Sequence, residues 1–457
     1  MPPWPDSLVF RRVLGRELPT IARGEGVWLE DTEGRRYLDG SGGAVVVNIG
    51  HGRREVAEAM ARQAETAAYV HGTQFTSGPL EEYARRLSAH APGDCNRLYL
   101  VSGGSEANET AVKLARAFHL ARGEPTRHKV VRRSIGYHGN TLATLALSGR
   151  PNLQAPYLPL LASTPEAAAP FCYRCPLGRT YPDCVVACVD EVETVIEREG
   201  PETVAAVIAE PVLGAAAGAA VPPDEYGQRL RAICDRHRVL LIADEVMTGF
   251  GRTGRFFAGE WSGVVPDVMT LGKGMSGGYV PVGGVLVREE IVKALEHAGG
   301  FVHGFTFSHH AVTAAACLAT LDILEREGLV ERVRERGELL FALLEPLRAH
   351  PHVGDVRGRG LMAGIELVAD KATRRPFPRA ERRAEGLAAR CFERGLVVYP
   401  STGCANGTDG DLVMLAPPFV VTEDELGQAV SILASALDDF GRSPTRLRPT
   451  ASRPARS

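Results

Sequence analysis

A lysine and an acid, 29 residues apart, have the residue types and the surroundings for chemistry. Lys273 stands between Gly272 and Gly274, which leave space around its amine. Asp244 ends an apolar run that begins at Leu240, and such a run indicates a buried strand that delivers a carboxylate to its C-terminal end. Only five of the 52 basic residues are lysines, so an interchangeable surface charge is a poor explanation for this one.

This pair suits the chemistry of pyridoxal 5′-phosphate (PLP). The lysine amine would form a Schiff base with the cofactor, and the carboxylate would keep the pyridine nitrogen protonated so that the ring can accept electrons. The alternative is a lysine in a turn and an acid at a strand end that share no role. The surrounding motifs decide against that alternative.

A glycine–serine turn offers a site for the cofactor phosphate. Residues 102–110 follow a predicted strand and open a predicted helix, with Gly104 and Ser105 at the turn. Glycines let the backbone approach a ligand, and the N–H groups at a helix start point at an anion. The turn lacks the lysine of a P-loop, and turns of this kind are common, so the motif is weak when taken alone.

Two further stretches are candidates for ligand binding. Tyr137, in the sequence Gly-Tyr-His-Gly of residues 136–139, follows a predicted strand and could stack on a planar cofactor, although a tyrosine of the core is an equally good interpretation without context. Residues 358–364 resemble a dinucleotide fingerprint, but the spacing is one residue too long and a strand follows instead of a helix. We therefore predict a glycine-rich turn between strands there.

Cysteines and histidines raise the question of a metal. Four cysteines fall within 17 residues, at positions 172, 175, 184 and 188. Four thiolates could bind zinc, but this segment lacks paired-knuckle spacing, so we expect reduced thiols that pack a loop. Three histidines at 303, 309 and 310 have no nearby carboxylate to complete a site. We expect no metal in either place.

The elements that position these residues alternate along the chain. Between about 53 and 330, helix-period stretches alternate with short apolar runs, at 97–101, 129–132, 204–209 and 239–243. This pattern indicates a mainly parallel sheet with helices on both faces. From 353 to 440 short strands mix with helices. We predict an N-terminal arm and small-domain segment (1–52), a large PLP-binding domain (53–330), a small C-terminal α+β domain (331–440) and a disordered tail (441–457).

Composition excludes several classes of partner. A net charge of −3 argues against nucleic acid. The most apolar stretch, 204–223, is interrupted by Glu210 and Pro211 and cannot span a membrane. The first residues lack the basic and apolar regions of a signal peptide, so we expect a cytoplasmic protein.

Taken together, residues 20–440 resemble the class III (ω-type) aminotransferases of PLP fold type I. The motifs occur in the family's order: Gly-Ser-Glu-Ala-Asn-Glu at 104–109, Gly-Tyr-His-Gly at 136–139, Glu210-Pro211, Asp244-Glu245-Val246, the glycine-rich stretch 248–254, Lys273 and Thr306. The resemblance implies an α/β fold with a mainly parallel seven-stranded sheet in a large domain and a smaller α+β domain.

The resemblance also implies a role for each matching residue. Gly104 and Ser105 would bind the phosphate, Tyr137 and Val246 would cover the two ring faces, and Asp244 and Lys273 would act as described above. His138 and Glu210 would belong to the cofactor site. Thr306 would reach the phosphate of a partner subunit, so that the active sites of a homodimer lie at its interface.

The departures from the family concern the substrate. Members that handle ornithine or γ-aminobutyrate carry an arginine in place of Asn140 and a glutamate in place of Ala215. Many ω-transaminases have a tryptophan near the position of Val45, so a valine suggests a wider pocket. Residues 401–411 contain no arginine. A roomy site poor in arginine suits a bulky amine or an amino sugar. The chain uses arginine in place of lysine and is rich in alanine, glycine and proline, as expected of a gene rich in G and C, and a source of that kind suggests an antibiotic pathway.

The residues leave two alternatives to an aminotransferase open. Dehydratases, epimerases and aminomutases that act on amino sugars use the same cofactor residues. A catalytically silent protein of this fold with a binding role is the second alternative, although intact Asp244 and Lys273 count against it.

Overall fold

A computed structural model of the protein describes residues 7–14 and 17–440. The predicted tail 441–457 lies outside these residues, and the domain boundaries stay a prediction. The strands are β1 (Ile21–Glu25), β2 (Trp28–Asp31), β3 (Arg36–Asp39), β4 (Arg97–Val101), β5 (Lys129–Arg133), β6 (Glu166–Ala167), β7 (Val204–Ala209), β8 (Leu240–Asp244), β9 (Val268–Gly272), β10 (Gly283–Val287), β11 (Val353–Gly358), β12 (Ala363–Leu367), β13 (Leu396–Val397), β14 (Tyr399–Thr402) and β15 (Asp411–Leu415).

Helices separate and cover these strands. They are α1 (Gly42–Val45), α2 (Arg54–Ala67), α3 (Gly78–Ser88), α4 (Gly104–Ala121), α5 (Leu142–Leu147), α6 (Pro151–Gln154), α7 (Ala187–Glu199), α8 (Asp224–His237), α9 (Glu289–His297), α10 (Ala311–Arg326), α11 (Leu329–Leu344), α12 (Arg383–Glu393) and α13 (Glu423–Asp438). No helix within the described residues is long and apolar enough to cross a membrane.

The central sheet has seven strands in the order β4-β10-β9-β8-β7-β5-β6. Strands β5 to β9 pair in parallel, and only β10 runs antiparallel to its neighbours β4 and β9. Every residue of β7, β8 and β9 is buried, as expected for apolar strands with helices on both faces. The mainly parallel seven-stranded sheet is therefore confirmed. The C-terminal ends of its parallel strands form the edge at which Asp244 and Lys273 lie.

Two four-stranded sheets lie outside the central one. The first has the order β1-β2-β3-β13, and its only parallel pair joins β3 to β13, so the N-terminal segment is bound to the C-terminal part of the chain. The second, β11-β12-β15-β14, is antiparallel throughout. The glycine-rich stretch 358–364 connects β11 to β12, which confirms the predicted turn between strands. Helices α12 and α13 pack beside these strands, giving the expected mixture of helices and strands.

Candidate active site

One cavity of about 330 Å³ lies at the C-terminal ends of the central strands. Nine of the twelve site residues predicted from the sequence line it: Gly104, Ser105, Tyr137, His138, Glu210, Ala215, Asp244, Val246 and Lys273. They come from segments up to 169 residues apart, so the fold gathers them from five different loops and strand ends. This position, at the carboxyl edge of a mainly parallel sheet, is where α/β proteins bind ligands.

Asp244 ends strand β8 and is buried in a set of hydrogen-bond donors. His138 Nδ1 and Asn108 Nδ2 lie 2.7 and 2.9 Å from its Oδ2, and the Val246 N–H donates to its Oδ1 at 3.0 Å. Burial by itself would raise the pKa of this carboxyl, but these hydrogen bonds outweigh it and hold the pKa of Asp244 below its usual range. The carboxylate is thus kept as an anion inside the protein.

Lys273 follows strand β9 at once, in a short 3-10 turn over residues 273–275. Its backbone has a φ of 46°, a left-handed conformation that costs energy for any residue other than glycine. Burial lowers the pKa of the amine to about 8, although the negative charges of Asp244 and Glu210 oppose that shift. About a tenth of the amine is therefore neutral at pH 7, and the neutral form is the one that a nucleophile or a base requires.

Helix α4 begins at Gly104, beside the same cavity, and its first N–H groups have no partner within the helix. A Cβ on Gly104 would lie 2.8 Å from Cγ1 of Val246, so the turn accepts only glycine without movement of its neighbour. Ser105 Oγ accepts a hydrogen bond from the Asn140 N–H at 3.1 Å. The unpaired N–H groups and the helix dipole make this end of the cavity a place for an anion.

Tyr137 is held at the cavity wall by Glu210. Glu210 Oε1 accepts from the Tyr137 N–H at 3.0 Å, and its Oε2 accepts from the Gly214 N–H at 2.8 Å. Burial raises the pKa of Glu210, and the nearby Asp244 charge adds to that shift. The Glu210 carboxyl therefore joins two loops around the cavity, and Tyr137 is one of the residues that line that cavity.

Three predicted residues are not among those that line the cavity. Val45 is buried, with a left-handed φ of 60°, and the adjacent Val46 lines the cavity instead. Asn140 is exposed and reaches the site only through its N–H bond to Ser105. Thr306 is exposed on this chain, where its carbonyl accepts from the Tyr69 hydroxyl at 3.0 Å.

Sequence reasoning missed two residues. Asn108, four positions into helix α4, holds both Asp244 and the His138 carbonyl through its side-chain amide. A polar residue at a helix position that faces the sheet was the available signal. Arg150 belongs to a segment that pairs with the Tyr137 segment, since the Gly149 N–H donates to the Gly136 carbonyl at 3.0 Å, but Arg150 is not among the residues that line the cavity. Its position ten residues past Asn140 gave no motif to find it by.

The four cysteines of residues 172–188, the last of which is in the first turn of α7, line a separate, small cavity of about 10 Å³. Cys172 is exposed, Cys175 and Cys184 are half-buried, and Cys188 is buried. Within the described residues, only Glu193, Glu197 and His237 bring three potential ligand atoms within 4.8 Å of one another.

Known proteins share this sequence and architecture. The model of the family described as aminotransferase class-III matches residues 14–437. A probable aminotransferase of Mycobacterium tuberculosis, Rv3329, is 43% identical over 437 residues, 94% of this chain and 92% of that protein. The putrescine–pyruvate aminotransferase of Pseudomonas aeruginosa is 35% identical over 442 residues, 96% of this chain and 94% of that protein.

A solved structure is similar over almost the same span. An amine transaminase from an uncultivated Pseudomonas species, determined in its PLP-bound form, has a TM-score of 0.88 and 38% identity. The match covers 94% of this chain and 99% of that one.

Proposed function

The chain belongs to the class III aminotransferases, and on that premise we propose that it transfers an amino group from an amine without a carboxylate to a carbonyl acceptor. Enzymes of this class depend on PLP. The observation that carries the proposal is the meeting of Lys273, Asp244 and the start of helix α4 around one cavity. An amine, a buried carboxylate and an anion site match the three polar ends of PLP: its aldehyde, its pyridine nitrogen and its phosphate.

The residues of the cavity fit that cofactor. Gly104 and Ser105 would hold the phosphate, because the first N–H groups of helix α4 have no partner within the helix. Glycine is needed at 104, since a Cβ there would run into Val246. Tyr137 and Val246 would cover the two faces of the ring. Asp244 would receive the protonated pyridine nitrogen, because its carboxylate remains charged in spite of burial. Lys273 would attach to the aldehyde.

The protein's own groups would then move one proton. Bound PLP supplies an electron sink for the pair left on the substrate carbon when its C–H bond breaks. Lys273 Nζ, once the incoming donor amine has freed it, would take that proton and later give it up, and a pKa of about 8 suits an amine that does both near neutral pH. Asp244 would stabilise the protonated ring nitrogen, and His138 and Asn108 keep its carboxylate in place.

The donor we propose is an uncharged or cationic amine, and an amino sugar of an antibiotic pathway is our candidate. Asn140 stands where family members specific for ornithine or γ-aminobutyrate have arginine, and Ala215 where they have glutamate. Ala215 lines the cavity and contributes only a methyl group to its wall. A buried carboxylate without a guanidinium partner would lose several kcal/mol of binding, on the order of 2–7 kcal/mol for an uncompensated polar group.

We also propose a homodimer whose active sites lie at the interface. Thr306 is exposed on a single chain, and the neighbouring Val302 and Phe307 leave 99% and 57% of their surface uncovered. Apolar side chains grouped with an exposed polar ligand are typical of a surface that a second chain covers. In this arrangement Thr306 would complete the phosphate site of the partner.

The donor is tested in the first half-reaction. The purified enzyme is mixed with an amino sugar, with ornithine or with γ-aminobutyrate, and loss of the cofactor's absorbance near 400 nm is followed. We expect the amino sugar to react fastest. A faster reaction with either amino acid would contradict the donor class, whereas no reaction with any amine would contradict amino transfer itself. Release of the amine onto an added keto acceptor separates transamination from dehydration or epimerisation.

A further inference from the structure

A second cavity, of about 80 Å³, is lined by helix α8 and by strands β7, β8 and β9 of the central sheet. Glu210 is the one described residue that lines both this cavity and the cofactor site. Its neighbour Asp244 points the other way in function, since Asp244 lines the cofactor site and the next residue, Glu245, lines the second cavity. The two cavities are therefore adjacent but separate.

Two buried polar side chains in this second cavity lack partners. Arg133, at the end of strand β5, leaves 1% of its surface exposed, and its Nη2 donates to the Glu210 carbonyl. Arg133 Nε and Nη1 and the Tyr226 hydroxyl make no hydrogen bond to any described residue. The charge of Arg133 acts on the Tyr226 hydroxyl, so the two groups lie close together. Buried groups of this kind are costly unless something pairs with them.

The rest of the cavity suits an apolar body. Most of its lining is aliphatic, including Val212, Val221, Leu230, Leu241, Val264 and Met269. At its rim, Asp224 and Trp261 are exposed, and the Arg359 guanidinium lies 4.5 Å from the centre of the Trp261 ring. An apolar cavity that reaches the surface and holds a few polar groups is typical of a site for a small ligand.

The acids that line the cavity oppose an anion only weakly. The oxygens of Glu245 accept from the Ala258 and Gly259 N–H groups at 3.1 and 2.7 Å and from the Thr248 hydroxyl. Both oxygens of Glu210 accept N–H groups of the backbone. Burial raises the pKa of both carboxyls, to about 7 for Glu245, so each carries less negative charge near neutral pH than an exposed acid.

We propose that this cavity is a second ligand site, which binds a short aliphatic monocarboxylate with its acid group at Arg133 and Tyr226. A guanidinium and a hydroxyl without partners are donors that a carboxylate can satisfy through charged hydrogen bonds. A cavity of about 80 Å³ holds roughly six water-sized groups, which is the size of a four-carbon acid such as butyrate. The inference does not depend on the proposed donor or on amino transfer.

The test measures butyrate binding directly. Butyrate is titrated with the holoenzyme, and binding is read from the broadening of the butyrate NMR signals. We expect a Kd on the order of 1 mM for a ligand of this size. Butyramide keeps the shape and loses the charge, so it should bind at least about tenfold more weakly.

Variants locate the bound acid. Tyr226→Phe removes only the unpaired hydroxyl and should weaken butyrate binding roughly tenfold. Arg133→Met should abolish it, and if that variant fails to fold, because Arg133 also holds the Glu210 carbonyl, Tyr226→Phe decides alone. Tyr83→Phe is the matched control: the Tyr83 hydroxyl is likewise buried without a partner, but Tyr83 does not line the cavity. It should bind butyrate as wild type does.

Four outcomes would overturn the proposal. Equal binding to wild type and Tyr226→Phe would place butyrate elsewhere, the cofactor site included. An equal loss in Tyr83→Phe would show that the effect of Tyr226→Phe is not local. No binding up to about 50 mM would mean that the cavity holds water only. Tighter binding of butylamine than of butyrate would assign the cavity to cations, through Glu210 and Glu245.

Discussion

At the scale of single residues, the site depends on a carboxylate that neighbours keep charged. Asp244 is buried, and without His138 and Asn108 its proton affinity would rise rather than fall. In Asp244→Asn the shape is retained and the charge is lost, so we expect turnover to fall at least about a hundredfold, or about 2.7 kcal/mol. Cofactor should still bind through the phosphate site. Near-normal rates in single-turnover measurements would mean that another acid serves the ring.

Lys273 is the residue that the cofactor should modify. Lys273→Ala should abolish turnover, since no other lysine lines the cavity, while circular dichroism stays as in wild type. Lys113→Ala is the matched control, because Lys113 is exposed on helix α4 and should be dispensable. Borohydride reduction followed by peptide mapping checks the attachment point directly. A pyridoxyl label on Lys113 or Lys293 would refute it.

At the scale of elements, the contact between helix α4 and the loop after β8 sets the phosphate site. Val246 packs against Gly104, and also lies 3.2 Å from the position of a Cβ on Gly272, so it has little room to move aside. We expect Gly104→Ala to weaken PLP affinity at least about tenfold, close to 1.4 kcal/mol, through overpacking. Equilibrium dialysis of PLP measures it.

Gly427, in helix α13, is the control for that change. A Cβ on Gly427 meets no atom within 4 Å, and Gly427 is not among the residues that line the cavity. Gly427→Ala should therefore bind PLP nearly as wild type does. If both variants lose affinity equally, the contact with Val246 is not the cause.

For the cysteine segment 172–188, packed thiols without a metal stay a prediction. Its thiols differ in exposure, and burial raises the pKa of Cys188 to about 12, so that thiol resists ionisation. We expect less than about 0.1 zinc per chain after dialysis, because a stoichiometric site needs converging thiolates. Elemental analysis decides it. One zinc per chain that persists in Glu193→Gln, which disables the separate carboxylate–histidine group, would contradict us.

The strands and the cofactor residues could be predicted from the sequence because their signals are local. Apolar runs mark β7 and β8, and the ends of such runs mark where Asp244 and Lys273 stand. Arg150 could not be predicted in this way. Its side chain donates a hydrogen bond to the carbonyl of Thr402, 252 residues away in the sequence, and no local pattern encodes a contact over that distance. Val45 shows the same limit, since a left-handed turn there brings Val46 to the cavity instead.

At the scale of the whole molecule, the exposed apolar side chains near Thr306 predict association. Phe307 packs edge-on against Tyr69, whose hydroxyl donates to the Thr306 carbonyl, so the residues of the patch also contact one another within a single chain. We expect Phe307→Asp to shift the wild-type dimer to monomer in analytical ultracentrifugation, with loss of PLP affinity, because the charge would be buried at the interface. Leu120→Asp, an exposed leucine near the other end of α4, should remain dimeric. A monomeric wild type would refute the proposal.

Strand β10 has a consequence for the order in which the site can be made. Gly283 pairs with Gly272 on one side and with Val101 on the other. This one residue therefore sets the register between the turn that carries Lys273 and the turn that carries Gly104. Strand β10 is synthesised last of the three, after β4 and β9. Val101 and Gly283, 182 residues apart in the sequence, must therefore pair before the site is complete, and closing a loop of that length is a slow, non-local step. We therefore expect a nascent chain that stops short of residue 287 to bind no cofactor, so that the cofactor is loaded only after the sheet has closed.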